Sequence, residues 1–179
     1  MKLKIKLPLF AMTLCLMANV AQAQTATVSI TGRITSPACT ITADPVSMGD
    51  VPISQYDSNI FPNSAYYRYF NVTLNSCDLT TLGSASVKFT GTSVSGDATT
   101  LALTGGTGAA TGFGVKIVGN DTGHEASKAA NFNGANSFAW KLSLNRRTYN
   151  FQTYYIKISS QTQKAGTANA TATVTLTYS

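Results

Sequence analysis

Charge is scarce in this chain of 179 residues: Asp, Glu, Lys and Arg make up 11% of it, against 44% apolar residues. That balance excludes a disordered polyelectrolyte, which needs high charge and little to bury. Histidine is scarcer still. His124 is the only one, so any histidine-based catalytic triad must use it, and no nearby serine or cysteine forms a nucleophile elbow. The chain has no Cys-x-x-Cys spacing and no phosphate-loop lysine. The acidic residues are few and scattered, which leaves a paired-carboxylate site without specific support. Helical signals are also thin, because Thr, Ser, Gly and Asn dominate and β-branched or aromatic residues fill the short runs between them. With no coherent catalytic constellation, the sequence does not read as an enzyme, and nothing in it calls for a cofactor.

Long apolar runs are lacking too, with one exception at the start. Lys2, Lys4 and Lys6 lead into an almost uncharged stretch, 7–20, that closes on Ala21-Gln22-Ala23. A basic start, an apolar centre and small residues at the cut are the order of a secretory signal peptide. The run is too short, and too soon followed by polar sequence, for a membrane span. Cys15 lacks the small residue expected before a lipid-modified cysteine and reads as apolar filler. The expected organisation is a signal peptide at 1–23 and a mature chain from Gln24 to Ser179 with no membrane span. The formal charge of +6 shrinks with it: residues 24–179 hold 10 Lys and Arg against 7 Asp and Glu, or +3. So small an excess argues against nucleic acid as a partner.

Export changes the cysteine arithmetic. Cys39 and Cys77 are the two that remain in a chain bound for an oxidising compartment, and a structural disulfide between them is expected.

Two segments alternate strictly. Ala26, Val28, Ile30, Gly32 and Ile34 alternate with Thr27, Ser29, Thr31 and Arg33. Near the other end Ala168, Ala170, Ala172, Val174, Leu176 and Tyr178 alternate with Asn169, Thr171, Thr173, Thr175, Thr177 and Ser179. Period two puts each apolar set on one face of a strand. An amphipathic strand at a mature chain's start, where ends usually fray, needs a partner sheet. Further strands are expected at 38–43, 66–74, 85–90, 99–103, 112–118, 137–144 and 149–159. So many short strands in one domain's length point to an antiparallel sandwich of immunoglobulin type, with a closed barrel as the structural competitor.

Three other features invite a functional reading. Asp121, His124 and Glu125 are close enough in sequence for a weak cation site, but Gly119-Asn120-Asp121-Thr122-Gly123 reads better as a turn. Gly106, Gly108 and Gly112 miss the dinucleotide spacing by one residue and read as a loop. Tyr66, Tyr67, Tyr69 and Phe70, with Tyr149, Phe151, Tyr154 and Tyr155, offer either core rings or a stacking platform for sugars or bases, with Arg68, Arg146 and Arg147 as charge.

Taken together these residues resemble a pilin subunit of the bacterial chaperone–usher pathway, of the type 1 fimbrial family. The likeness rests on the alternating arm with Gly32, Pro37-Ala38-Cys39, the second cysteine in Leu74-Asn75-Ser76-Cys77, and Phe151-Gln152 followed by Tyr155. Its most specific part is the final strand, with Gly166 fourteen residues from Ser179, counting Ser179 as the first, and Tyr178 next to last. The resemblance implies an all-β, incomplete immunoglobulin-like β-sandwich at 37–179 that lacks its last strand, preceded by a donor arm at 24–36. It implies a structural subunit of a surface fimbria that polymerises by donor-strand exchange and supports cell adhesion, exported through the periplasm. Its partners would be a periplasmic chaperone, an outer-membrane usher and neighbouring pilin subunits.

By the same resemblance, Ala26, Val28, Ile30, Gly32 and Ile34 are the donor-strand residues, with Gly32 facing a shallow part of a neighbour's groove. Gly166, Ala168, Ala170, Ala172, Val174, Leu176, Tyr178 and Ser179 form the receiving, chaperone-binding side. The carboxylate of Ser179 would be held by basic residues of the chaperone. The main alternatives are a secreted carbohydrate-binding sandwich, for which the tyrosine clusters would be the site, and a minor adhesive tip subunit.

Overall fold

A computed structural model describes residues 28–33, 38–121, 125–142 and 145–179. The signal-peptide segment, Ala26, Ile34 and His124 lie outside the described residues. The chain divides into two units, Met1–Ile34 and Thr35–Ser179.

The regular structure described in the second unit is almost wholly strand. These are β1 (Thr40–Ala43), β2 (Arg68–Asn75), β3 (Ala85–Thr90), β4 (Ser93–Val94), β5 (Asp97–Ala102), β6 (Phe113–Gly119), β7 (Phe138–Ala139), β8 (Thr148–Lys157) and β9 (Thr173–Tyr178). Two 3₁₀ turns, Ile53–Tyr56 and Ser64–Tyr66, lie between β1 and β2. All paired strands run antiparallel and form two sheets, one in the order β1-β2-β8-β6-β5-β4 and the other β7-β3-β9. This is a two-layer sandwich, not a closed barrel. β1 and β9 are both edge strands, and they lie near one another.

Alternation explains the packing. On β2, Phe70, Val72 and Leu74 point inward; on β3, Ala85, Val87 and Phe89; on β8, Tyr149, Phe151 and Thr153. The rings interlock, with Phe151 stacked on Tyr149 at 4.7 Å and on Phe70 at 5.4 Å, and edge-on to Phe89 and Phe138 at 5.0 Å each. Each such fully buried side chain contributes roughly 1.5–3 kcal/mol. The tyrosine clusters therefore split between two faces. Tyr149 fills the core, while Tyr69 is exposed and Tyr67 stacks on Tyr154 at 4.5 Å on the other face of the sheet.

Cys39 and Cys77 are joined, with their Cα atoms 4.8 Å apart. The bridge ties the residue before β1 to the turn after β2, across an antiparallel pair whose register runs Thr40 opposite Asn75.

Several expectations need correction. The described arm residues, 28–33, form no strand, because alternation specifies a face and not a partner. The final strand begins at Thr173 and not at 168. Before it, Thr167 and Lys164 bridge to Ala109 and Thr111, and the carbonyl of Asn169 accepts from the N–H of Thr104 at 2.7 Å, which draws this stretch to the 104–111 loop. The strand expected at 137–144 is reduced to Phe138–Ala139 among the described residues. The two-residue β4 was not foreseen.

Candidate functional site: an open groove beside the last strand

Between the edges β1 and β9 the sandwich is open. A groove of about 980 Å³ runs there, walled on one side by residues 165–174 and on the other by residues 43–53. Its floor is made by core side chains of both sheets, including Phe70, Phe89, Leu101, Val115, Ile117 and Tyr155. A cavity of this size with core residues as its floor is a core left uncovered.

Both walls have backbone to spare. β9 pairs with β3 alone. On the other wall the N–H of Asp44 donates to Asn71 at 3.0 Å, after which residues 45–51 make no backbone hydrogen bond among the described residues until the turn at Pro52. Unpaired edges of this kind are templates for a further strand.

Gly166, Ala168, Ala170, Ala172 and Val174 line the groove. Alternate positions here, from Ala168 to Leu176, are half-buried, and the threonines between them are exposed. Gly166 lies against the loop backbone: a Cβ there would come within 2.4 Å of the Gly108 carbonyl oxygen and 2.6 Å of the Ala110 nitrogen, so no larger residue fits without moving the loop. Leu176 packs against the core opposite Val87, beyond the groove. Tyr178 is 43% exposed. The Ser179 oxygen accepts from the N–H groups of Gly83 and Ser84 at 2.8 and 3.1 Å, which extends the β3–β9 ladder.

Within the first unit, Val28 and Ile30 are 81% and 90% exposed, and a side chain at Gly32 would meet nothing within 4 Å. Two large apolar side chains so fully in water are costly unless they are covered by something else.

The floor and the far wall were the parts not foreseen. Val46, Met48 and Val51 lie between Pro45 and Pro52, and Ile53 just after, without strict alternation, so period-two reasoning passes over them. Tyr155, offered by the sequence as a core ring or part of a stacking platform, has a different role. Its hydroxyl donates to the carbonyl of Ala168 at 2.5 Å and anchors the start of the 165–174 wall to β8. Burial pushes the Tyr155 hydroxyl up, and Tyr56 is raised further by burial and by its tyrosine neighbours, so both stay protonated donors.

The suggested cation cluster is otherwise engaged: Asp121 accepts from Arg146 at 2.6 Å and Glu125 from Lys128 at 2.5 Å. The best-developed carboxylate lies on β5. Burial opposes the ionised form of Asp97, but hydrogen bonds from Thr100, Thr99 and Lys116 outweigh it and hold the carboxyl well below the usual range.

Known proteins bear on this geometry. The family profile described as Fimbrial protein matches residues 28–179. A type-1 fimbrial protein subunit of Serratia marcescens is 32% identical over 182 residues, spanning 98% of each chain. Long polar fimbria protein A of Salmonella typhimurium is 30% identical over 106 residues, or 58% of this chain and 59% of the relative. Among solved structures, the P pilus rod subunit PapA superposes with a TM-score of 0.64 at 20% identity, covering 86% of this chain and 99% of that one. A chain of a chaperone–usher pilus superposes at 0.58 and 19% identity, covering 87% and 96%. The two structures establish the fold as the immunoglobulin-like sandwich of pilins. With the profile and a full-length relative in agreement, the chain belongs to the fimbrial protein family and is a structural subunit of a surface pilus.

Proposed function

We propose that this subunit polymerises by donor-strand exchange, with residues 24–36 as the donated arm and residues 37–179 as the domain that receives an arm, after removal of a signal peptide at 1–23. The observation that carries the reading is the groove: about 980 Å³ over a floor of core side chains, between two edges with unpaired backbone. Only an extended segment satisfies both edges while covering the floor. In this reading Ala26, Val28, Ile30, Gly32 and Ile34 of one subunit turn toward the wall formed by Gly166, Ala168, Ala170, Ala172 and Val174 of the next. Leu176, Tyr178 and Ser179 extend the receiving strand. Backbone hydrogen bonds supply generic affinity, and the alternate side chains supply register.

An uncovered core would aggregate in transit, so a periplasmic chaperone lends the missing strand first, and an outer-membrane usher is where the arm of the next subunit replaces it. The Ser179 end, held here by Gly83 and Ser84, is the part the chaperone would grip. The assembled polymer supports cell adhesion from the surface.

The test is complementation. Expressed alone, residues 24–179 are expected to aggregate; co-expression with a periplasmic chaperone, or fusion of a second copy of residues 24–37 to the end of the chain, is expected to give soluble protein. A stable, soluble monomer with no added strand overturns the reading.

A further inference from the structure

The groove lining carries two carboxylates and no cation in a chain that is basic, although the Arg68 guanidinium lies beside Gly49 of the far wall, where it donates to the carbonyls of Ala65 and Tyr67. Residues 24–179 hold 10 Lys and Arg against 7 Asp and Glu, yet the residues lining the groove include Asp44 and Asp50 and no lysine or arginine. Asp44 is already engaged, since Asn71 donates to it from its backbone N–H at 3.1 Å and from its side-chain amide at 3.0 Å. Asp50 is exposed and has no hydrogen bond or ion pair among the described residues.

The arm carries the opposite charge, once. Between Gln24 and Thr35 the single charged residue is Arg33. It belongs to the polar register Thr27, Ser29, Thr31 and Arg33, which turns outward when the apolar register turns inward. An outward side chain on a strand seated in the groove lies along the rim. On the β9 side the exposed residues between the groove-lining ones from Ala168 to Val174 are Asn169, Thr171 and Thr173, all uncharged; on the other rim the anion without a partner among the described residues is Asp50.

We propose that Arg33 of one copy pairs with Asp50 of the next, so that the arm and the groove of this chain match in charge and the subunit it receives is a second copy of itself. This rests on the donor-strand reading above. The pair lies at a rim open to water, so its effect falls on encounter rate and choice of partner more than on the strength of the finished contact. It is screened by salt.

The experiment uses full-length chains purified with their chaperone and follows polymerisation at low and at high salt. At low salt Arg33→Glu and Asp50→Arg are each expected to slow assembly by about two- to five-fold, and the double variant, or a mixture of Arg33→Glu donors with Asp50→Arg acceptors, to recover most of the parental rate. High salt is expected to erase the differences. Asp50→Asn, which keeps the size of the side chain, serves if Asp50→Arg does not fold. Parental rates for both single variants, or a double variant as slow as the two effects multiplied, overturn the pairing. A chain lacking residues 24–34 separates the two levels. If it polymerises like the parent, the donor-strand reading itself fails. If it does not polymerise and the swaps fail to compensate, only the Arg33–Asp50 pairing falls.

Discussion

β8 and β9 alternate equally well and end up in different states. On β8, Tyr149 and Phe151 are wholly buried, with rings from β2, β3 and β7 packed around them. On β9, Val174 and Leu176 are half-buried and the wall leading to them borders the groove. The contrast lies in neighbours and not in sequence, since β8 has a strand on each side and β9 has one. Alternation names the face that ought to be covered; the number of flanking strands decides whether it is.

Two substitutions of similar cost would break or sharpen that contrast. Phe151→Ala is expected to remove about 3–5 kcal/mol from the subunit's own stability, read as a large fall in the denaturant midpoint of a strand-completed subunit. Ile30→Asp, in the arm, is expected to cost about 3–5 kcal/mol in assembly, because an unpaired charge would enter an apolar groove. Chaperone-bound Ile30→Asp subunits should still fold, and their fibres should dissociate more readily. If Ile30→Asp fibres resist dissociation as the parent does, Ile30 is not a buried knob. Leu176→Ala is the control on the strand with one neighbour; with a half-buried side chain it should cost clearly less than Phe151→Ala, and equal costs would erase the distinction between the two strands.

The disulfide comes next in size. Replacing both Cys39 and Cys77 by serine is expected to cost about 2–4 kcal/mol, checked by melting the strand-completed subunit with and without reductant, to which the double variant should be indifferent.

The smallest effect is on pH dependence. Asp97 has its folded pKa held below the value of about 3.9 typical of an unfolded chain. Its contribution is therefore fully present above that value and lost as pH falls below about 4. Asp97→Asn should lower stability at neutral pH and flatten the decline in acid; an unchanged acid profile would show the Thr99, Thr100 and Lys116 bonds to be energetically idle.

Much of this was legible from residues. The sheet class and the Cys39–Cys77 bridge follow from period-two patterning and from cysteine count in an exported chain, and the family likeness points to the stretch from Ala168 to Val174 that lines the groove. What stayed hidden has a common physical cause. Val46, Met48, Val51 and Ile53 form a wall without being a strand, so they show no period. Phe70 stands in the sequence between core ring and stacking platform, and Leu101 only falls within the strand expected at 99–103; that both floor a groove depends on how the two sheets meet, which local pattern does not encode. Residues 168–172 look like strand but are drawn to the 104–111 loop, a tertiary contact that local pattern does not encode.

The bridge has a mechanical meaning as well. Cys39 stands five residues after Ile34, at the root of the proposed arm, and its partner follows β2, the strand next to the edge of the larger sheet. Were the arm pulled by a subunit that held it, tension entering at Cys39 would cross the covalent bond to Cys77 before it reached β1. The edge strand would then be bypassed instead of peeled, and the load would pass to the end of β2, whose ladders with β1 and β8 flank it on both sides.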